Sequence, residues 1–162
     1  MPNYSFSTMS APAAARIADG WRYEAPYDFF NPAADYEEFT NPERWPGVAQ
    51  IAKVDGEVAG YFRSELAETA DGSGITADIT VGLAPELTDQ GLGANFVISC
   101  LYRLRELHPE VSTVTASIPE FNIRALRVFE EAGFEVIGRQ KQIANGAKLQ
   151  VLLLSAHYLS SL

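Results

Sequence analysis

The sequence predicts an α/β fold: one mixed, twisted sheet of about seven strands carrying about four helices. Three observations carry this. A strand–helix–strand unit spans Ile75 to Ile118, and two strands joined through a helix pair in parallel with a right-handed crossover. Two-residue hairpin signals at Asp55-Gly56 and Asn145-Gly146 flank that unit and add antiparallel strands. Apolar residues at Leu92, Phe96, Cys100 and Leu104, widened by Val97, Leu101 and Leu107, repeat with the period of an amphipathic helix. The chain has 162 residues, which predicts a single domain over 1–162 able to bury roughly two-thirds of its unfolded surface.

The elements follow in order. Tyr4 to Thr8 reads as a short strand. Ala11 to Asp19 reads as a helix, with Ser10 as cap, Pro12 in the first turn and Gly20 as stop. Trp21 to Pro46 is rich in aromatic and acidic residues and is broken at Pro26, Pro32, Pro42 and Pro46, so it reads as loop with a helical piece near Ala34 to Phe39. Gln50 to Leu66 is a hairpin, and Asp71-Gly-Ser-Gly is a flexible turn. Ile75 to Leu83 is a strand, followed by the amphipathic helix that Pro109 ends. Ser112 to Ile118 alternates β-branched residues and reads as the next strand. Asn122 caps a helix over Ile123 to Ala132 that Gly133 stops, and Phe134 to Ile143 with Ala147 to Ala156 form the last hairpin.

Composition narrows function. A net charge of −9 argues against nucleic acid, whose phosphates need a Lys/Arg surplus, and suits a cationic partner such as an amine. The single cysteine, Cys100, excludes internal disulfides and a cysteine-built zinc site; it lies on the apolar helix face, and no metal is expected. His108 and His157 have no Ser or Cys at a spacing that suggests a triad. No signal-peptide pattern and no apolar run of about 20 residues is present, so a cytoplasmic setting without membrane contact is expected.

One stretch carries chemistry. In VGLAPELTDQGLGA a strand leads through Gly91 and Gly93 into a helix. A helix start presents unpaired N–H groups and the positive end of the dipole, and glycine lets an anion approach them. This predicts a phosphorylated cofactor at Gln90 to Ala94. The nucleotide-binding patterns G-x-x-x-x-G-K-[ST] and G-x-G-x-x-G are absent.

That loop resembles the acetyl-CoA pyrophosphate loop, Q/R-x-x-G-x-G/A, of the GNAT-family N-acetyltransferases. NIRALRVFEEAGF, Asn122 to Phe134, resembles the family's N-x-x-A-x-x-x-Y-x-x-x-G-F segment. The resemblance implies that the strands Ile75–Leu83 and Ser112–Ile118 splay apart and admit the pantetheine arm. Backbone at Val81, Gly82 and Leu83 would contact that arm, amides of Gln90, Gly91, Leu92, Gly93 and Ala94 would hold the pyrophosphate, and Asn122 would lie near the arm. Tyr27, Phe29, Phe30 and Trp45 would line the acceptor side, or pack the long loop against the sheet, or both. The implied activity is acetyl transfer from acetyl-CoA to a primary amine of a small molecule or peptide, by direct attack in a ternary complex. The alternative is a non-catalytic acyl-CoA-binding or sensory domain, and the protein would be a monomer or a homodimer.

Two departures stand out. Thr88 and Asp89 occupy the usual Q/R and following positions, so a long polar side chain is missing and a carboxylate stands near the pyrophosphate site. Phe129 occupies the position of the tyrosine that protonates the leaving thiolate, so water or Tyr102 or Tyr158 would serve, or no acid is needed. A thiol with a pKa of about 8.5 leaves tolerably well on its own. For the general base the candidates are Asp78 and Glu120, with Glu65 behind them, or each is an ordinary solvated carboxylate.

Overall fold

The computed structural model describes residues 3–144 and 146–157. In chain order they form β1 (Ser5–Thr8), α1 (Ala11–Gly20), α2 (Tyr36–Thr40), β2 (Val48–Val54), β3 (Glu57–Glu68), β4 (Ile75–Leu83), α3 (Gly93–Leu107), β5 (Val111–Pro119), α4 (Ile123–Glu131), β6 (Glu135–Ala144) and β7 (Ala147–His157). The sheet has seven strands in the order β1-β2-β3-β4-β5-β7-β6. All neighbours run antiparallel except β4 and β5, so the sheet is mixed, as its sequence predicts.

The expected caps form. The Ser10 hydroxyl accepts the Ala13 N–H at 3.2 Å, and Asn122 Oδ1 accepts the Ala125 N–H at 3.0 Å. β4 has the predicted limits. Between α1 and β2 the prolines hold the chain in short turns of 3-10 helix at Tyr27–Phe30, Pro32–Asp35 and Pro42–Arg44, with α2 as the one α-helical turn between them. The helical piece therefore starts two residues later than predicted, because Pro32 and its neighbours close the tighter 3-10 turn first. β6 and β7 pair from Glu135↔Ser155 to Ala144↔Ala147, as a hairpin requires; Asn145 lies outside the described residues.

Two apolar clusters flank the sheet. The larger joins Phe62, Ile79, Val114 and Leu154 to Phe96, Cys100 and Leu104 of α3 and Phe129 of α4. The smaller joins Ile51 and Tyr61 to Ile17 of α1, Trp21 and Phe39 of α2. Alternation along the strands assigns the faces: Phe62 and Ile79 point to the α3/α4 side, Tyr61 to the α1/α2 side.

Arg63 anchors the irregular segment. From β3 its guanidinium donates to the carbonyls of Phe39 and Glu38, and lies 4.3 Å from the Phe39 ring centroid and 5.1 Å from that of Trp45. Burial draws its pKa down, while Tyr61 and Glu38 oppose the shift. Replacing Arg63 with alanine unties α2 from the sheet. The expected loss is about 2 kcal/mol, or about 6 °C in melting temperature by calorimetry.

Candidate active site

β4 and β5 pair in parallel only from Ile75↔Val111 to Asp78↔Thr115. Past that point β4 stays paired to β3 as far as Leu83↔Gly60, and β5 to β7 as far as Pro119↔Val151. The ladder between the two thus stops while both strands continue. A cavity of about 810 Å³ runs along the opening, walled by 79–83 on one strand and 116–119 on the other.

One end of the cavity is the start of α3. Asp89 and Gly91 have φ of 60° and 73°, so the chain turns twice through the left-handed region before the helix begins. Glycine adopts that region freely, and aspartate is among the few other residues that tolerate it. Unlike α1 and α4, α3 has no side-chain cap: Leu92 is its N-cap residue. The N–H groups of its first turn therefore keep no partner within the helix. Gly93 has a second role. A Cβ there would lie 2.6 Å from Val128 Cγ2, so α4 crosses α3 at its first residue.

Thr88, Gly91, Gly93, Ala94 and Asn122 line this end, as do Val81, Gly82 and Leu83 along the strand. Gln90 and Leu92 do not line it. The Gln90 amide turns back to donate to the Glu86 carbonyl, so its side chain does not replace the missing long residue at Thr88. The Asn122 side-chain oxygen is spent on capping α4. Asp89 is mostly exposed and pairs at 3.2 Å with Arg124 from the first turn of α4. The same Arg124 guanidinium lies over the Tyr27 ring, 3.9 Å from its centroid.

The segment before β2 lines the cavity with aromatic side chains: Tyr27, Phe29 and Phe30, together with Tyr23 and Phe39, and Tyr61 from β3. Phe29 and Phe30 pack on Phe121, at 5.7 and 5.6 Å between ring centroids, and so bridge the early segment to the end of β5. The Tyr23 hydroxyl donates to the Leu83 carbonyl at 2.7 Å, and burial drives its pKa far up. Burial also pushes the Tyr61 hydroxyl up to about 12. Both phenols stay protonated at neutral pH. Asp35 and Glu38 supply acidic charge on this side. Trp45 does not line the main cavity; it borders a smaller cleft beside it.

The candidate bases separate. Glu120 lies off the cavity and pairs with Arg139 of β6 at 3.4 Å, because the chain after Pro119 turns toward the outer hairpin. Asp78 sits at the last rung before the strands part. The β3–β4 register is unbroken, so Asp78 shares a face with Thr80, and with Arg63 and Glu65 across from them. It lines the smaller cleft of about 300 Å³, which shares Glu38, Arg63 and Thr80 with the main cavity. Although Asp78 is exposed, partial burial of its carboxyl group raises its pKa; the Thr115 hydroxyl, donating at 2.9 Å, lowers it, and Glu65 opposite raises it.

A raised carboxylate pKa means that ionised Asp78 opposes folding. That penalty is fully present above the folded-state pKa and is lost as pH falls through it toward the ordinary Asp value of about 3.9. Asp78→Asn is therefore expected to melt higher than wild type at pH 7, with the difference gone near pH 3.5; thermal melts at the two pH values check it.

For the thiolate, Phe129 is 5% exposed and edge-packed on Phe134, which makes it core. Tyr102 is 48% exposed on α3 and does not line the cavity. Tyr158 lies outside the described residues. Tyr23, Asp35, Glu38, Tyr61, Arg63 and Arg124 are among the cavity residues that sequence reasoning missed. The alternation of Tyr61, Arg63 and Glu65 opposite Asp78 is a signal that could have found two of them.

The site is thus a parallel pair that opens into a cavity reaching an uncapped helix start and lined with aromatic side chains. A family model for the acetyltransferase (GNAT) family matches residues 16–134, and the chain belongs to that family. Its fold is similar to that of AAC(6')-Ib in complex with ribostamycin and coenzyme A, at 24% identity over 95% of this chain and 93% of that one, with a TM-score of 0.73. An aminoglycoside N(6')-acetyltransferase from Legionella pneumophila gives 17% identity, 98% and 94% coverage and a TM-score of 0.74. A spermidine N-acetyltransferase SpeG chimera from Vibrio cholerae and hSSAT gives 14% identity, 98% and 97% coverage and a TM-score of 0.69. No curated protein matches the chain by sequence. Among the described residues no cluster of His, Cys, Asp or Glu could hold a metal, and no helix is long and apolar enough to cross a membrane.

Proposed function

We propose that this protein transfers an acetyl group from acetyl-CoA to a primary amine by direct attack in a ternary complex. The observation that carries the reading is the parting of β4 and β5 beyond Asp78↔Thr115, along a cavity that reaches the uncapped start of α3. Backbone at Val81, Gly82 and Leu83 would hold the pantetheine arm. The amides of Gly91, Gly93 and Ala94 would hold the pyrophosphate, with Gln90 and Leu92 contributing through backbone alone and Asn122 bordering the arm. Acetyl-CoA supplies an activated carbonyl; the chain supplies position, which is a large share of the catalysis of such a transfer.

The acceptor side combines rings with Asp35 and Glu38. This chemistry suits a cationic amine on an apolar or polyhydroxylated body. Aminoglycosides and spermidine, on which the similar enzymes act, are of this kind. Asp78 is the favoured base through an intervening water, and no acid is assigned: with Phe129 in place, coenzyme A leaves as a thiolate and is protonated by solvent. Asp78→Asn would then lower kcat, and the wild-type rate would rise with pH through the raised Asp78 pKa.

Thiol release measured with acetyl-CoA and a panel of aminoglycosides, polyamines and amino acids tests the proposal. Release that needs both substrates supports it. Binding of acetyl-CoA with every amine at the background rate would favour the second reading, a non-catalytic acyl-CoA-binding domain, which rests on Phe129 and on the altered loop at Thr88 and Asp89.

A further inference from the structure

We infer that Arg124 is a phosphate ligand for the cofactor and that Asp89 is its stand-in partner when no cofactor is bound. This rests on the cofactor reading above and adds a residue and an exchange to it. The position follows from helix geometry. Val128 lies against Gly93, and Arg124 lies one turn earlier on the same face of α4. The Arg124 side chain therefore reaches over the first turn of α3, where the unpaired N–H groups are. It brings a permanent positive charge to the place where Thr88 lacks one.

The two contacts of Arg124 have different characters. Its guanidinium carbon lies over the Tyr27 ring, 3.9 Å from the centroid. Its Nη1 donates to Asp89 Oδ2 at 3.2 Å. A guanidinium seated over a ring still has N–H donors that can change partners. The Asp89 side chain is 74% exposed and that of Arg124 26%, and ion pairs of this exposure contribute little. A pyrophosphate offers more charge and a bidentate geometry, beside the positive end of α3. The exchange costs one weak pair and forms a stronger one. It also explains how a carboxylate is tolerated in a pyrophosphate loop: it is neutralised in the free protein and swings to solvent when the phosphates arrive.

Isothermal titration of the full chain with coenzyme A, and with pantetheine as a probe without phosphates, tests this. Arg124→Gln should weaken coenzyme A by on the order of tenfold or more and leave pantetheine unchanged, and Arg124→Lys should recover part of the loss. Asp89→Asn, which tolerates the same left-handed backbone, should tighten coenzyme A severalfold, and by less in the Arg124→Gln background. Thermal melts of each variant confirm folding. If Arg124→Gln leaves coenzyme A affinity within about twofold of wild type, or if Asp89→Asn weakens it, the exchange is wrong although the cofactor reading stands. If wild type does not bind coenzyme A, both fall.

Discussion

Phe96→Ala is expected to cost about 4 kcal/mol, the largest loss of any single substitution considered for this fold. Phe96 is 1% exposed and belongs to the larger core cluster. Its ring meets Tyr4 edge-on at 5.1 Å, which ties β1 to α3. It also covers Gly60: a Cβ on Gly60 would lie 2.3 Å from the Phe96 ring, so the strand and ring are in the closest possible contact. Alanine leaves a void that such a contact cannot refill, because the β3 backbone is held on both sides by its ladders. For a domain of this size the loss corresponds to a fall of about 12 °C in melting temperature. Denaturant titration should show a lower midpoint with an unchanged slope. Phe96 also lines the slot, so coenzyme A should bind the variant more weakly even where it remains folded.

Gly93→Ala is expected to damage the cofactor site more than the fold. The added methyl would sit 2.6 Å from Val128 Cγ2, and Val128 is β-branched on a helix, where its rotamer is nearly fixed. Relief comes from moving α4 away from the start of α3. The stability cost is about 1–2 kcal/mol, as for other overpacked contacts. Coenzyme A affinity should fall on the order of thirtyfold, because the amides and Arg124 no longer converge. The double variant Gly93→Ala/Val128→Ala should recover most of both losses. If the double variant binds no better than the single one, the helix contact is not what shapes the site.

How much of this was legible varies by element. β4 could be read to the residue, because a β-branched, alternating run is bounded by a glycine turn before it and by the Ala84-Pro85 break after it. α4 was legible to within one residue from its Asn122 cap and the following Gly133. The segment 21–46 was not. Its turns are 3-10, each fixed by a proline and a neighbouring carbonyl, and such turns have no hydrophobic period to read. The parting of β4 and β5 left no mark in composition, since residues on both sides of Asp78 keep the same alternation; only resemblance to a family pointed to it. The face of Asp78 depended on whether β4 carries a bulge, and the unbroken β3–β4 register settles that. The position of Glu120 off the cavity was not legible, because a strand end in sequence does not say which way the chain leaves it. The Arg124–Asp89–Tyr27 arrangement joins three distant parts of the chain, and nothing local announces it.

The central claim is that one cofactor occupies both the opened strands and the start of α3. The most direct measurement is a titration of isotope-labelled protein with coenzyme A, followed by amide NMR shifts. The account predicts the largest changes at the amides of Val81, Gly82 and Leu83 together with Gly91, Gly93 and Ala94, saturating at one common concentration. Saturation with those amides unmoved, or with changes confined to one of the two groups, would contradict it.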